Sequence, residues 1–188
     1  MILIGSRAID FWLPNFRPLG DWDICISNSE LDEFVSDNNI TKIRKVNGKS
    51  ICEIDNNIIE CESIDTSSSQ LLLDINKNNP TMDVFGLQCM VIDINSLYAI
   101  KKSHIYHTDN WHKTIKDYHF LKKYHTIEYD ELVKVRRLEK EKRSGSRSLM
   151  ISNDEFQVLI RSTEELNEII YQLKIDDRKK KLKKLNSI

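Results

Sequence analysis

The chain has 188 residues, which is enough for one domain with an appendage or for two small domains. Apolar residues make up 40% of it and charged residues 30%, as in ordinary globular proteins. The formal net charge of −1 excludes a general attraction to nucleic acid or to a membrane surface, so a basic surface could only be local.

Segments for export or membrane insertion are not expected. The sequence has no apolar stretch long enough for a membrane span. Its first residues, MILIGSRAID, lack the basic start and long apolar core of a signal peptide. Its four cysteines form no CxxC pair, and no Cys/His cluster has the spacing of a zinc site. We therefore expect reduced, buried thiols in a cytosolic protein.

The N-terminal part begins with a short apolar strand over residues 2–4, which ends at Gly5-Ser6. Residues 7–16 have apolar side chains at helical spacing, and the nearby prolines limit this helix and predict a loop. The alternation in DWDICIS predicts a strand over 21–27.

A helix over 29–37, capped by Asn28 or Ser29, is predicted next. The strand candidates that follow are separated by the turn sequences Asn47-Gly48 and Asn56-Asn57, and they cover residues 41–46, 49–54 and 58–64. Beyond them lie a segment that fits either a helix or a strand, 70–76, and a further apolar run, 84–93.

The second half is helical in pattern. A helical stretch over 95–124 is broken near Thr108-Asp109, and a charged helix is predicted over 130–142. After a loop at 144–148, residues 153–185 fit one or two helices. We therefore predict an α+β fold with an α/β core over 1–94 and a helical C-terminal part over 95–188.

Two aspartates suggest the chemistry. Asp21 and Asp23 lie two residues apart on a predicted strand, so their side chains share one face, about 7 Å apart at the Cα atoms. Carboxylate oxygens at this spacing suit Mg²⁺, which takes its remaining ligands from phosphate and water. Two such ions about 4 Å apart can activate an attacking hydroxyl and stabilise a leaving pyrophosphate.

Gly5-Ser6 provides a candidate phosphate site. A glycine between a strand and a helix lets the backbone approach a phosphate, and the N–H groups at the start of the helix favour negative charge. Arg7 is placed to add a charged contact to the same phosphates.

The ordered set in residues 4–24, IGSRAIDFWLPNFRPLGDWDI, resembles the signature of the polymerase-β-like nucleotidyltransferase superfamily. That signature is an apolar residue, Gly-Ser or Gly-Gly, a short helix, and then Asp, an apolar residue, Asp or Glu, and another apolar residue. The resemblance implies a mixed sheet flanked by helices. It also implies transfer of a nucleoside monophosphate from an NTP to a hydroxyl acceptor with Mg²⁺ or Mn²⁺, with Asp21 and Asp23 as metal ligands.

The superfamily supplies a third carboxylate from a later strand. The resemblance favours Glu60 for this role, with Glu62 as the alternate on the same face and Glu53 and Asp55 as a reserve pair. If the third carboxylate is missing, the alternative function is a catalytically degenerate protein that binds a nucleotide, a nucleic acid or a protein partner.

The helical stretch LYAIKKSHIYH…WHKTIKDYHFL is similar to the helices that close over the nucleotide in several branches of the superfamily. By this resemblance, phosphate or base contacts fall to Lys101 or Lys102 and to Lys113. His104 and His107 lie at i and i+3, which leaves a base or orienting role as the alternative to ordinary packing.

The acceptor stays open. A basic run over residues 178–184 tilts the choice toward RNA over a protein or a small molecule, and no membrane partner is expected. The richness in Ile and Asn fits a viral protein, which would place it in the host cytoplasm.

Overall fold

The computed structural model describes residues 1–46, 48–105 and 111–144, together with 175, 178 and 179. The fold is α+β, as predicted. The strands are β1 (Ile2–Ile4), β2 (Trp22–Ile26), β3 (Ile43–Val46), β4 (Lys49–Ile54), β5 (Asn57–Ser63), β6 (Thr81–Val84) and β7 (Leu87–Val91). The helices are α1 (Gly5–Trp12), α2 (Asn28–Asp37), α3 (Ser67–Asn76), α4 (Ile94–Ile105), α5 (Trp111–Leu121) and α6 (Asp130–Ser144).

All seven strands belong to one mixed sheet, in the order β3-β4-β5-β2-β1-β7-β6. The two pairs that join distant parts of the chain, β2 with β5 and β1 with β7, are parallel, and the other neighbouring pairs are antiparallel. The first strand therefore lies inside the sheet, and its three residues are buried. This placement explains why β1 is apolar throughout and does not alternate.

Several element boundaries differ from the prediction. The first helix begins at Gly5 and ends at Trp12, before Pro14, so the apolar spacing beyond residue 12 belongs to a loop. The strand predicted over 21–27 is shorter, which leaves Asp21 just outside it. The turn predicted at Asn56-Asn57 lies one residue earlier, because Asp55 and Asn56 both adopt positive φ.

The structure assigns the segment that fitted either a helix or a strand, and it places the later apolar run. Residues 67–76 form a helix whose Thr66 side chain accepts a hydrogen bond from the Ser69 N–H, which is a standard N-terminal cap. The apolar run at 84–93 is part of a hairpin, because Phe85 and Gly86 turn the chain at positive φ. The predicted cap of α2 moves to Ser27, which forms a capping box with Glu30.

The predicted division at residues 94 and 95 lies at the first residues of α4, and it stays a prediction. The break predicted near residues 108 and 109, the loop at 144–148 and most of the helices over 153–185 lie outside the described residues. All four cysteines are buried and free, as predicted. In the described part of the chain, no helix has the length and apolar character needed to cross a membrane.

Ion pairs join the helical part to the sheet. Asp117 of α5 accepts two hydrogen bonds from the Arg17 guanidinium, at 2.9 and 3.1 Å, and lies 2.8 Å from the Lys101 ammonium of α4. From α6, Arg136 donates to Glu62 of β5 at 2.8 Å, and the Ser68 N–H of α3 donates to Glu139 at 2.9 Å. These contacts attach α5 to α4 and to the loop before β2, and they attach α6 to β5 and α3.

The buried position of Asp117 predicts a large effect of removing its charge. Its side chain is only 2% exposed, so Asp117→Asn leaves Arg17 and Lys101 without their shared counterion. We expect a loss of about 2–3 kcal/mol of unfolding free energy, measured by urea denaturation. The matched control is Glu141→Gln on α6, whose pair with Arg137 is about one-third exposed and should change stability by less than about 0.5 kcal/mol. Equal losses of unfolding free energy in the two variants would contradict the role of Asp117 as the buried counterion of Arg17 and Lys101.

Candidate functional site

The turn between β1 and α1 packs directly against Asp23. Ile4 lies opposite Asp23 in the antiparallel β1–β2 pair, so the next residue, Gly5, comes against the aspartate side chain. A Cβ atom on Gly5 would lie 2.8 Å from Asp23 Cγ and 2.9 Å from Asp23 Cβ, and Gly5 has a φ of +73°. Both observations require glycine at this position. The predicted proximity of Gly5-Ser6 to the second aspartate is therefore present in the fold.

Glu60 joins this pair through sheet register. In the parallel β2–β5 pair, Asp23 lies opposite Glu60, and Cys25 lies opposite Glu62. Because side chains alternate along a strand, Asp23, Glu60 and Glu62 share one face of the sheet. Asp21 precedes β2, is exposed and lines the same cavity as these three carboxylates.

A lysine that the sequence analysis did not single out lies among the carboxylates. The Lys49 ammonium is 2.8 Å from Glu60 Oε2, 3.1 Å from Glu62 Oε1 and 3.7 Å from Asp23 Oδ1. Lys49 begins β4, the strand that pairs with β5. The predicted hairpin of 49–54 with 58–64 could have indicated it, because Lys49 shares a face with Glu60 and Glu62 under either turn position.

Burial and charge shift the protonation of this cluster. Burial raises the pKa of Asp23 from 3.8 to about 6, and the charges of Lys49 and Lys101 only partly offset this effect. Burial alone would lower the pKa of Lys49, but the carboxylates of Glu62, Asp23 and Glu60 outweigh it and raise that pKa above its ordinary value. Lys49 is therefore a permanent cation at neutral pH.

A cavity of about 490 Å³ surrounds the cluster. Its wall combines acidic side chains from β2, β5, the loop before β2 and α5 with basic ones from that loop, from β4 and from the helices. The acidic side chains are Asp21, Asp23, Glu60, Glu62 and Asp117, and the basic ones are Arg17, Lys49, Lys101, Lys113, Arg136 and Lys140. Of the basic residues, only Lys101 and Lys113 were predicted from the sequence, and Arg17, Lys49, Arg136 and Lys140 were not.

The predicted phosphate-binding lysines separate into two groups. Lys101 and Lys113 line the cavity, and Lys101 also contacts Asp117. Lys102 points elsewhere, since its ammonium lies 2.8 Å from Glu128 and it is not among the lining residues. The choice that the sequence left open between Lys101 and Lys102 therefore falls on Lys101 by position.

Arg7 does not line the cavity. Its guanidinium lies over the Trp22 ring, 4.4 Å from the ring centroid, and donates to the Gly20 carbonyl at 3.0 Å. These contacts fix the loop before β2, so Arg7 supports the position of Asp21 and Asp23 and does not face the cavity. Trp22 and Asp23 project to opposite faces of the sheet because they are adjacent in a strand.

The first turn of α1 is not capped by a side chain. Gly5 and Ser6 line the cavity, and no side chain caps this helix, in contrast to α2 and α3. The N–H groups at an uncapped helix start favour an anion.

His104 of α4 also lines the cavity. Burial, followed by the charges of Lys140, Arg136 and Lys101, holds its pKa well below the ordinary value, so the imidazole is neutral. His107, the other histidine of the predicted pair, lies outside the described residues.

The cluster fits a divalent cation only in part. Among the described residues, no group of three or more His, Cys, Asp or Glu side chains forms a ready metal site. The Lys49 ammonium lies between Asp23, Glu60 and Glu62 instead. The hard carboxylate oxygens of Asp21 and Asp23 at the cavity wall still match the ligands that Mg²⁺ takes together with phosphate.

The Gly5 turn gives a stability prediction. Gly5→Ala forces a side chain into the left-handed backbone region and against Asp23, so we expect a loss of about 1–3 kcal/mol in unfolding free energy. Gly20→Ala, where an added Cβ meets nothing within 4 Å, should stay within about 0.5 kcal/mol of the parent chain. Urea unfolding of both variants measures the difference. A Gly5→Ala variant as stable as the parent would contradict the close approach of Gly5 to the Asp23 side chain.

The raised pKa of Asp23 gives a pH prediction. A carboxyl that holds its proton more tightly when folded stabilises the fold below its unfolded pKa of 3.8 and loses that stabilisation as the pH rises through about 6. Asp23→Asn removes this ionisation, so we expect the variant to be more stable than the parent by roughly 2–3 kcal/mol at pH 7. The gain should shrink toward zero near pH 4.

The measurement is urea unfolding from pH 4 to pH 8. The control, Asp32→Asn, replaces an exposed aspartate of α2 and should show no such pH-dependent gain. A variant at position 23 that is less stable than the parent at pH 7 would show that the folded protein favours the ionised Asp23.

Comparisons with known proteins place the chain in one family. No curated protein matches the sequence. A family model matches residues 1–155, which include every described residue of the sheet, the cavity and the helices around it. The protein therefore belongs to the family described as Domain of unknown function (DUF7277).

Proposed function

We propose that this protein is a Mg²⁺-dependent nucleotidyltransferase, which transfers a nucleoside monophosphate from an NTP to a hydroxyl acceptor. The observation that carries the proposal is the packing of the Gly5 turn against the Asp23 carboxylate, with Glu60 beside it. For this reaction, a backbone that binds phosphate must lie next to carboxylates that bind metal. Gly5, Asp23 and Glu60 come from separate parts of the sequence and meet at this point of the fold.

The phosphate end of the substrate is assigned to the basic side of the cavity. The N–H groups after Gly5 at the uncapped start of α1 donate to phosphate oxygens, and Ser6 lies beside them. Lys101 and Lys113 approach the same cavity from α4 and α5. Among the described residues, six cationic side chains and five carboxylates line the wall, which favours a polyanionic ligand whose charge also needs a metal near the acids.

The acidic end performs the transfer. Mg²⁺ held by Asp21 and Asp23 would neutralise charge on the triphosphate and stabilise the leaving pyrophosphate. The acceptor oxygen forms a bond to the α-phosphorus while the bond from that phosphorus to the pyrophosphate oxygen breaks. The acceptor proton passes to a carboxylate of the cluster. Glu60, which the proposal does not assign to the ion at Asp21 and Asp23, is the candidate for this proton.

The acceptor class is inferred from the charge of the C-terminal part. RNA is favoured over a protein or small-molecule hydroxyl because of the basic run at 178–184, of which Arg178 and Lys179 are described and exposed. We also infer a cytoplasmic location, because four buried free thiols suit a reducing compartment.

A second candidate function is nucleotide, nucleic-acid or protein binding without catalysis. The contact of Lys49 with three carboxylates favours it, since an ammonium at this position competes with a metal ion. Stabilisation by ATP and Mg²⁺ without transfer to any acceptor would identify this function.

The test of transferase activity uses each labelled NTP with Mg²⁺ and, in separate reactions, total RNA, a protein extract and aminoglycosides. We expect label to appear in one acceptor class and to be lost by at least about 100-fold in Asp23→Asn and Asp21→Asn. Asp32→Asn should retain the parent rate, because Asp32 lies on the exposed side of α2. Full transfer by Asp23→Asn would refute the proposed role.

A further inference from the structure

Lys49 enters the carboxylate cluster from the strand beside it. Continuing the register of the β4–β5 pair places Lys49 opposite Glu62, and its ammonium reaches both Glu62 and Glu60 at about hydrogen-bond distance. Asp23 lies 3.7 Å away on its other side. Three carboxylates from two strands therefore share one ammonium.

This geometry leaves no room for a metal ion among the same three groups. Mg²⁺ contacts its oxygen ligands at about 2.0–2.1 Å, so an ion shared by these oxygens would coincide with the ammonium nitrogen. Glu62 also has a second cationic partner, because Arg136 donates to its other carboxylate oxygen at 2.8 Å. The side of the cluster toward Asp21 differs, since Asp21 is exposed at the cavity wall and none of the described lysines forms an ion pair with it.

We propose that Lys49 is a resident cation of this site, which takes the place of a second divalent ion between Asp23, Glu60 and Glu62. The inference rests on the proposed function, and it limits that function to one divalent ion per chain, at Asp21 and Asp23. In this arrangement the ammonium holds Glu60 and Glu62 in place and supplies a positive charge at the acidic end of the cavity. Lys49 is thus a positioning residue for the carboxylates.

The test counts bound Mn²⁺ per chain by equilibrium dialysis of the full-length protein, with and without ATP. Lys49→Met keeps the length of the side chain and removes its charge. We expect it to bind one more Mn²⁺ than the parent chain. Lys45→Met is the matched control, because Lys45 is exposed on the neighbouring strand β3 and should leave the count unchanged.

A double variant links the additional ion to the cluster. Adding Glu60→Gln to Lys49→Met removes one of the carboxylates that have lost their ammonium partner. The number of bound Mn²⁺ ions should then return to that of the parent. Equal Mn²⁺ counts for the parent and Lys49→Met, or two tightly bound ions in the parent, would overturn the role of Lys49. A parent that binds no Mn²⁺ even with ATP, beside a Lys49→Met variant that gains one ion, would support this role and refute the proposed transferase.

Thermal unfolding provides a measurement that does not depend on counting the bound Mn²⁺ ions. Without its ammonium the cluster is repulsive, so Lys49→Met should have a lower Tm than the parent in the absence of metal. Mn²⁺ should raise the Tm of this variant by more than it raises the Tm of the parent. A decrease in Tm that Mn²⁺ does not restore would mean that Lys49 has a packing role only.

Discussion

The structure depends on the position of β2 between an antiparallel neighbour, β1, and a parallel neighbour, β5. The first pairing brings the turn at Gly5 against Asp23, and the second brings Glu60 beside it. A one-residue slip in either pair would turn these side chains to the other face of the sheet. Buried apolar residues on the same strands, such as Ile24 and Ile59, specify the register, so the hydrophobic core and the acidic cluster are set by the same interaction.

The cluster also illustrates a cost that the fold must offset elsewhere. Burial opposes the ionisation of Asp23, and the nearby lysines only reduce this penalty. Around it, Glu62, Arg136 and Asp117 are all nearly buried and each has an oppositely charged partner at 2.8–2.9 Å. Such pairs contribute little net stability compared with apolar packing, so their presence around one cavity is better explained by a function than by folding.

Much of the fold and part of the candidate site could be predicted from the sequence, because they depend on local patterns. Alternation and turn residues predicted the sheet-forming segments, and the resemblance to the nucleotidyltransferase signature predicted that Gly5, Asp23 and Glu60 would meet. The sequence could not reveal Arg17 or Arg136, because their roles depend on helices and a loop that meet the sheet from a distance. Lys49 was within reach of the predicted hairpin, because its position relative to Glu60 and Glu62 follows from the pairing of 49–54 with 58–64. Proline and positive-φ turns shifted the predicted boundaries by a few residues, since apolar spacing continues into loops that pack against the core.

The interior position of β1 has a consequence for how the chain folds. Its residues pair on one side with β7, where Ile2 lies opposite Met90, so this contact closes a loop of most of the sheet-forming sequence. Contacts between such distant residues form slowly, because the chain loses much conformational entropy before they are made. During synthesis, one edge of β1 therefore stays unpaired until β7 has left the ribosome.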